Sequence, residues 1–147
     1  MEQTEYLFDF VERFDLAQES PYSTISVKGG RQVDIDKTNA GYGEWKKWLR
    51  ELAERKQPVY LLINNANNTV EDVFYPKMRA ITSVELSPKN ERLIVDMLPA
   101  PCLFYVSFNS PRFAELRRVL ETAHSTKTQA YVTTGDDPLE IIDARFK

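Results

Sequence analysis

Apolar and polar residues alternate at every second position in Thr24–Val27 and in Gln32–Ile35, with Gly29 and Gly30 between the two stretches. A period of two marks half-buried strands, and the glycines supply the positive φ that a tight hairpin needs. The period lengthens between Glu44 and Lys56. Trp45, Trp48, Leu49, Leu52 and Ala53 there fall on one face of a helix that Pro58 stops. Val59–Ile63 is apolar on both faces, as an interior strand is. Asn64–Asn68 is a turn of residues that tolerate left-handed backbone, and Thr69–Tyr75 is a strand ending at Pro76.

Met78–Leu86, Arg92–Leu98 and Cys102–Phe108 read as three further strands, with Ser87–Asn90 turning the chain and Pro99 and Pro101 bending it. Ser110 is placed to cap a second helix with Pro111 at its first position. Phe113, Leu116, Val119, Leu120 and Ala123 form the buried stripe of that helix. Gln129–Thr134 and Glu140–Phe146 are strands on either side of the turn Gly135–Pro138. Ahead of all these, Tyr6, Leu7, Phe10, Val11 and Phe14 fall at helical spacing and predict an N-terminal amphipathic helix ending before Ser20 and Pro21.

The pattern predicts an α+β, β-rich fold with an internal repeat. Its two β-β-α-β-β halves are residues 1–76, with the leading helix, and residues 77–147, packed as one compact unit. From Met78 onward the order is three strands, a helix and two strands. That order resembles the oligonucleotide/oligosaccharide-binding (OB) barrel, whose helix lies between its third and fourth strands. The resemblance rests on element order and implies an OB-like, partly open five-stranded barrel for the second half. A sheet with helices on one face satisfies the same pattern.

Composition narrows the function classes. The net charge of -3 argues against a general nucleic-acid binder, which neutralises phosphates with a basic surface. The single cysteine, Cys102, excludes an internal disulfide, and its apolar neighbours predict a small buried hydrophobe. The first residues lack the basic region and apolar run of a signal peptide, so the expected location is cytoplasmic and no membrane contact is expected. Asn67-Asn68-Thr69 matches a glycosylation sequon but reads as a polar turn.

Candidate chemistry is sparse. One histidine, His124, and one cysteine cannot build a zinc site, and no metal or cofactor is expected. Asp34 and Asp36 share a strand face and Asp136 and Asp137 share a turn, but neither pair has a calcium-loop frame. No nucleophile elbow or phosphate loop is present, which leaves enzyme the weaker class. A small enzyme with a carboxylate site stays as one alternative.

Binding is the stronger class. Barrels of this kind hold ligands with aromatic and basic side chains, and the matching candidates are Arg79, Arg92, Tyr105 and Tyr131. Arg92, Ile94 and Asp96 share a wet strand face, and Tyr131 shares one with Gln129 and Thr133. The expected function is a non-catalytic interaction module binding a protein partner or self-associating as a homodimer. The alternative is a single-stranded nucleic-acid binder using the same face.

Overall fold

The computed structural model describes residues 3–16, 19–100 and 102–147. The protein is β-rich, with two five-stranded sheets and two helices, and it divides into two compact units, Met1–Tyr75 and Pro76–Lys147. Among the described residues no helix is long and apolar enough to cross a membrane.

The first unit runs β1 (Thr4–Asp15), β2 (Tyr22–Val27), β3 (Gln32–Asp36), α1 (Tyr42–Arg55), β4 (Pro58–Asn64) and β5 (Thr69–Phe74). Its sheet closes into a barrel in the order β1-β2-β3-β5-β4, because β1 pairs antiparallel with both β2 and β4. The predicted N-terminal helix is thus a strand. Spacing that looks helical at Tyr6, Leu7, Phe10, Val11 and Phe14 also supplies two strand faces once the strand bends. A register shift between Val11 and Arg13 provides that bend. Residues 4–10 pair with β4, and residues from Val11 onward pair with β2. Aromatic residues favour such a half-buried pleated surface.

Val11, Ile25, Ile35, Leu49, Leu61 and Ile63 are fully buried in the barrel core. Each such side chain contributes roughly 1.5–3 kcal/mol through burial. α1 lays Trp45 and Leu49 onto this core, and its wet face carries a Glu51–Arg55 ion pair at 3.1 Å. The helix begins beside Gly41, where a Cβ atom would come within 2.4 Å of the Trp45 ring. It ends at Lys56 in left-handed geometry (φ 53°).

The second unit runs β6 (Lys77–Ser87), a 3₁₀ turn (Pro88–Asn90), β7 (Arg92–Leu98), β8 (Phe104–Ser107), α2 (Phe113–Thr126), β9 (Gln129–Thr134) and β10 (Ile141–Phe146). The sheet order is β10-β9-β6-β7-β8. The two outer strands approach through one parallel bridge, Tyr105 to Glu140. Leu93, Val95, Val106, Leu116, Leu120 and Ile141 form its core beneath α2. Each unit therefore runs three strands, a helix and two strands, one strand more than the β-β-α-β-β reading gives.

Three local expectations are corrected. Cys102 is exposed, because β8 starts only at Phe104 and the thiol belongs to the preceding loop. α2 starts at Phe113, so Pro111 precedes it; the Ser110 hydroxyl accepts the Arg112 N–H at 3.3 Å and shapes the entering turn. Thr133, read as wet, is fully buried because a register shift between Ile141 and Asp143 turns Thr133 and Asp143 inward together.

Candidate interaction site

The outer face of β7 and β8 carries the best-organised polar group of the second unit. Leu93, Val95 and Met97 point into the core, so Arg92, Ile94 and Asp96 point outward. On β8, Phe104 and Val106 are buried and Tyr105 faces out. Antiparallel register sets Ile94 opposite Tyr105 and Arg92 opposite Ser107. The Arg92 guanidinium lies over the Tyr105 ring, 3.9 Å from its centroid. The Tyr105 hydroxyl donates to Asp137 Oδ2 at 2.6 Å, and Asp137 Oδ1 accepts the Leu139 N–H at 2.9 Å. The Tyr105 N–H donates to the Leu139 carbonyl at 2.9 Å. The strand, the ring and the loop before β10 are thereby pinned to one another.

Electrostatics agree with that geometry. The hydrogen bond to Asp137 pushes the Tyr105 phenol up, while those from Tyr105 and the Leu139 N–H hold the Asp137 carboxyl below its ordinary range. Asp137 is an ionised acceptor and Tyr105 a neutral donor, which makes both positioning groups. Among the described residues no hydrogen-bond acceptor meets the Arg92 side chain, so its fork of donors faces outward.

The four candidates fall at two places. Arg79 sits opposite Ala130 on β6 and donates through Nη1 to the Pro99 carbonyl. Tyr131 sits opposite Met78 and Arg145. Arg92 lies opposite Ser87, eight residues along β6 from Arg79, which corresponds to about 26 Å of strand. Arg92 and Tyr105 are brought together; Arg79 and Tyr131 occupy the other end of the sheet. Asp137, weighed in the sequence only as half of an acidic pair, is the residue that completes the cluster. Its position in the loop between the fourth and fifth strands of its unit was the available signal.

Comparison with protein-family models, with curated proteins and with solved structures yields no match. The reading of the site therefore rests on its own geometry.

Other polar groups have structural work. Arg31 holds Glu5 through Nη1 and reaches Asn65 and Asn68 through Nη2, both at 3.4 Å, tying the β2–β3 turn to the β4–β5 turn. Thr38 donates its hydroxyl and N–H to Asp36 and lowers its pKa. Thr24 donates to Asp34 at 3.0 Å. Asp143, fully buried, takes Arg112 at 2.6 Å and Arg145 at 2.8 Å. Arg112 also holds Glu115 and depresses its pKa. His124 Nδ1 lies 3.1 Å from the Ile81 carbonyl on β6, so the imidazole in the last turn of α2 meets a strand carbonyl. Burial, with Glu51 and Glu44 nearby, pushes the Tyr75 phenol up. Among the described residues no three His, Cys, Asp or Glu side chains converge as a metal-binding set.

Proposed function

We propose that the protein is a non-catalytic interaction module whose units are OB-like barrels, and that a protein partner, a second copy included, docks on the outer face of β7 and β8. The fold half of this reading is supported by strand order. In the first unit the barrel order is first, second, third, fifth, fourth, with a parallel third-to-fifth contact at Asp34 and Thr69 and the helix between the third and fourth strands. The second unit has the same element order and a parallel third-to-fifth bridge. Barrels of that topology take ligands on the second and third strands and on the flanking loops. In the second unit those elements are β7, β8, the 3₁₀ turn and the loop Gly135–Glu140.

The observation that carries the functional half is the outward Arg92 fork, held in place by Tyr105 and Asp137. A protein is favoured over a nucleic-acid strand by charge. Glu85, opposite Ile94, and Asp96 share the face with Arg92, and Asp137 adjoins it. A run of phosphates would be repelled by these carboxylates.

The test uses immobilised full-length protein against a displayed random-peptide library and, separately, a short single-stranded oligonucleotide at low salt. The expected result is enriched peptides whose binding is lost in Tyr105→Ala, and no oligonucleotide binding. Failure to enrich any peptide overturns the docking reading. Oligonucleotide binding that weakens steeply with salt replaces it with the nucleic-acid reading.

A further inference from the structure

Resting on that docking reading, we infer that the β7–β8 face takes a cationic segment of its partner, in which lysine or arginine side chains alternate with apolar ones. Strand alternation sets the charge of this face. Asp96 points outward from β7, two residues beyond Ile94, and Glu85 on β6 lies opposite Ile94. Asp137 and Glu140 bear on Tyr105 from the loop before β10. Against these four carboxylates stand two cations, Arg92 and the exposed Lys89 of the 3₁₀ turn. Both cations lie at the turn end of β7, whereas Asp96 is four residues beyond Arg92, about 13 Å of strand. Arg92 is also answered from within, since it stacks on the Tyr105 ring and its charge helps to hold the Asp137 carboxyl ionised. Among the described residues neither the Glu85 nor the Asp96 carboxylate has a hydrogen bond or an ion pair.

The apolar part of the face calls for a polypeptide rather than a small cation. Leu98 closes the outward row of β7 and Leu103 immediately precedes β8; each keeps 56% of its surface exposed. Leu139, 39% exposed, is fixed beside β8 by the Tyr105 N–H bond to its carbonyl. Exposed apolar side chains with polar groups around them mark surfaces that bind other proteins. A partner that covers the leucines also takes water from the nearby carboxylates, and a cation opposite each one offsets that cost. An acidic segment would be repelled by the four carboxylates, and a neutral one would leave Glu85 and Asp96 unanswered. Lysine and arginine suit both parts of the face, because their stems cover apolar surface while the charged head reaches a carboxylate. The outward N–H edge of Arg92 is then left for a neutral acceptor, a main-chain carbonyl of the same segment.

The experiment measures fluorescence polarisation of three labelled peptides of equal length with the full-length protein. One alternates lysine with leucine; the others carry glutamine or glutamate in place of lysine. The lysine peptide should bind and the glutamate peptide should not. Asp96→Asn combined with Glu85→Gln should weaken the lysine peptide about three- to tenfold, the worth of two partly exposed ion pairs, and added salt should shrink that difference. Glu19→Gln combined with Glu54→Gln removes the same charge from exposed positions of the first unit and should leave binding unchanged. Leu98→Ser combined with Leu103→Ser should weaken the lysine and glutamine peptides alike. Every position changed is at least partly exposed, and unchanged circular dichroism establishes that each variant keeps its fold. The inference is overturned if the glutamine or glutamate peptide binds as tightly as the lysine peptide. It is overturned equally if the Glu19 and Glu54 changes cost as much as those at Asp96 and Glu85, since overall acidity then accounts for the binding. A dimer in sedimentation that the lysine peptide does not displace overturns it in favour of a second copy. The docking reading survives each of these results wherever library peptides still lose binding in Tyr105→Ala. It falls with the inference only if no peptide of any charge is retained.

Discussion

The two units close at the same topological place with different chemistry. In Met1–Tyr75 the third strand meets the fifth through the Asp34 N–H and the Asn68 carbonyl, and Arg31 spends its guanidinium on Glu5, Asn65 and Asn68 to hold the adjoining turn. In Pro76–Lys147 the third strand meets the fifth through the Tyr105 N–H and the Leu139 carbonyl, and the turn is held by a tyrosine–aspartate hydrogen bond. Arg92 in that unit stacks on the tyrosine ring and meets no hydrogen-bond acceptor among the described residues. The balance of charge differs as well: the first unit carries nine Lys or Arg against thirteen Asp or Glu, the second ten against nine. Similar wiring of strands therefore leaves one closure saturated and the other with a free donor fork.

The largest effects should come from the two cores, which the comparison treats as alike. Leu49→Ala and Leu120→Ala each empty a fully buried position and should each cost about 2–5 kcal/mol, measured by urea denaturation. Both tryptophans lie in α1, so indole fluorescence reads the first change and far-ultraviolet circular dichroism the second. A cost below 1 kcal/mol at either site, in the range of an ordinary surface substitution, would break the parallel.

The next effect separates the units. Among the described residues, Asp143 is the one fully buried carboxylate, and both its oxygens are taken by arginines. Asp143→Asn should destabilise the second unit by somewhat less than the roughly 3–5 kcal/mol of a wholly buried pair, since Arg112 and Arg145 keep 28% and 40% of their side-chain surface. The expected fall in the circular-dichroism melting temperature should be absent if the ionic centre is dispensable. Thr133→Val sharpens the same point with the opposite sign. The Thr133 hydroxyl is buried without a hydrogen-bond partner among the described residues, and its removal should raise stability by about 1 kcal/mol.

How far the sequence reaches is plain from these residues. Alternation in Arg92–Leu98 places Arg92 outward and needs only local information. The stripe Tyr6–Phe14 satisfies both helical spacing and a bent strand, and what decides is pairing with β4, some sixty residues away at Thr4 and Asn64. No local pattern carries that. Cys102 belongs to an apolar run but precedes the strand, which starts only at Phe104. The cluster was half legible: Arg92 and Tyr105 follow from strand faces, whereas Asp137 joins Tyr105 across 32 residues. The same logic explains Thr133, whose inward turn depends on a register shift that one strand alone does not reveal.

The smallest effect tests the free fork's support. The Asp137 pKa is depressed in the folded protein, so its contribution is present above the ordinary carboxylate range and is lost as pH falls through the folded value. The Tyr105 pKa is raised, so its contribution is full below the ordinary phenol range and is lost as pH rises through the folded value. In Tyr105→Phe the Asp137 carboxyl should titrate closer to an unperturbed aspartate, followed by carboxyl carbon shifts in nuclear magnetic resonance. An unchanged titration would show that the hydrogen bond does not set that pKa.

Cys102 has a practical consequence. As the chain's single thiol, and an exposed one, it reacts with a maleimide dye at one position, three residues before Tyr105. Such a reporter would register occupancy of the β7–β8 face without further engineering. The same thiol can join two chains through an intermolecular disulfide in air, so any mass measured for an assembly must be taken with a reductant present.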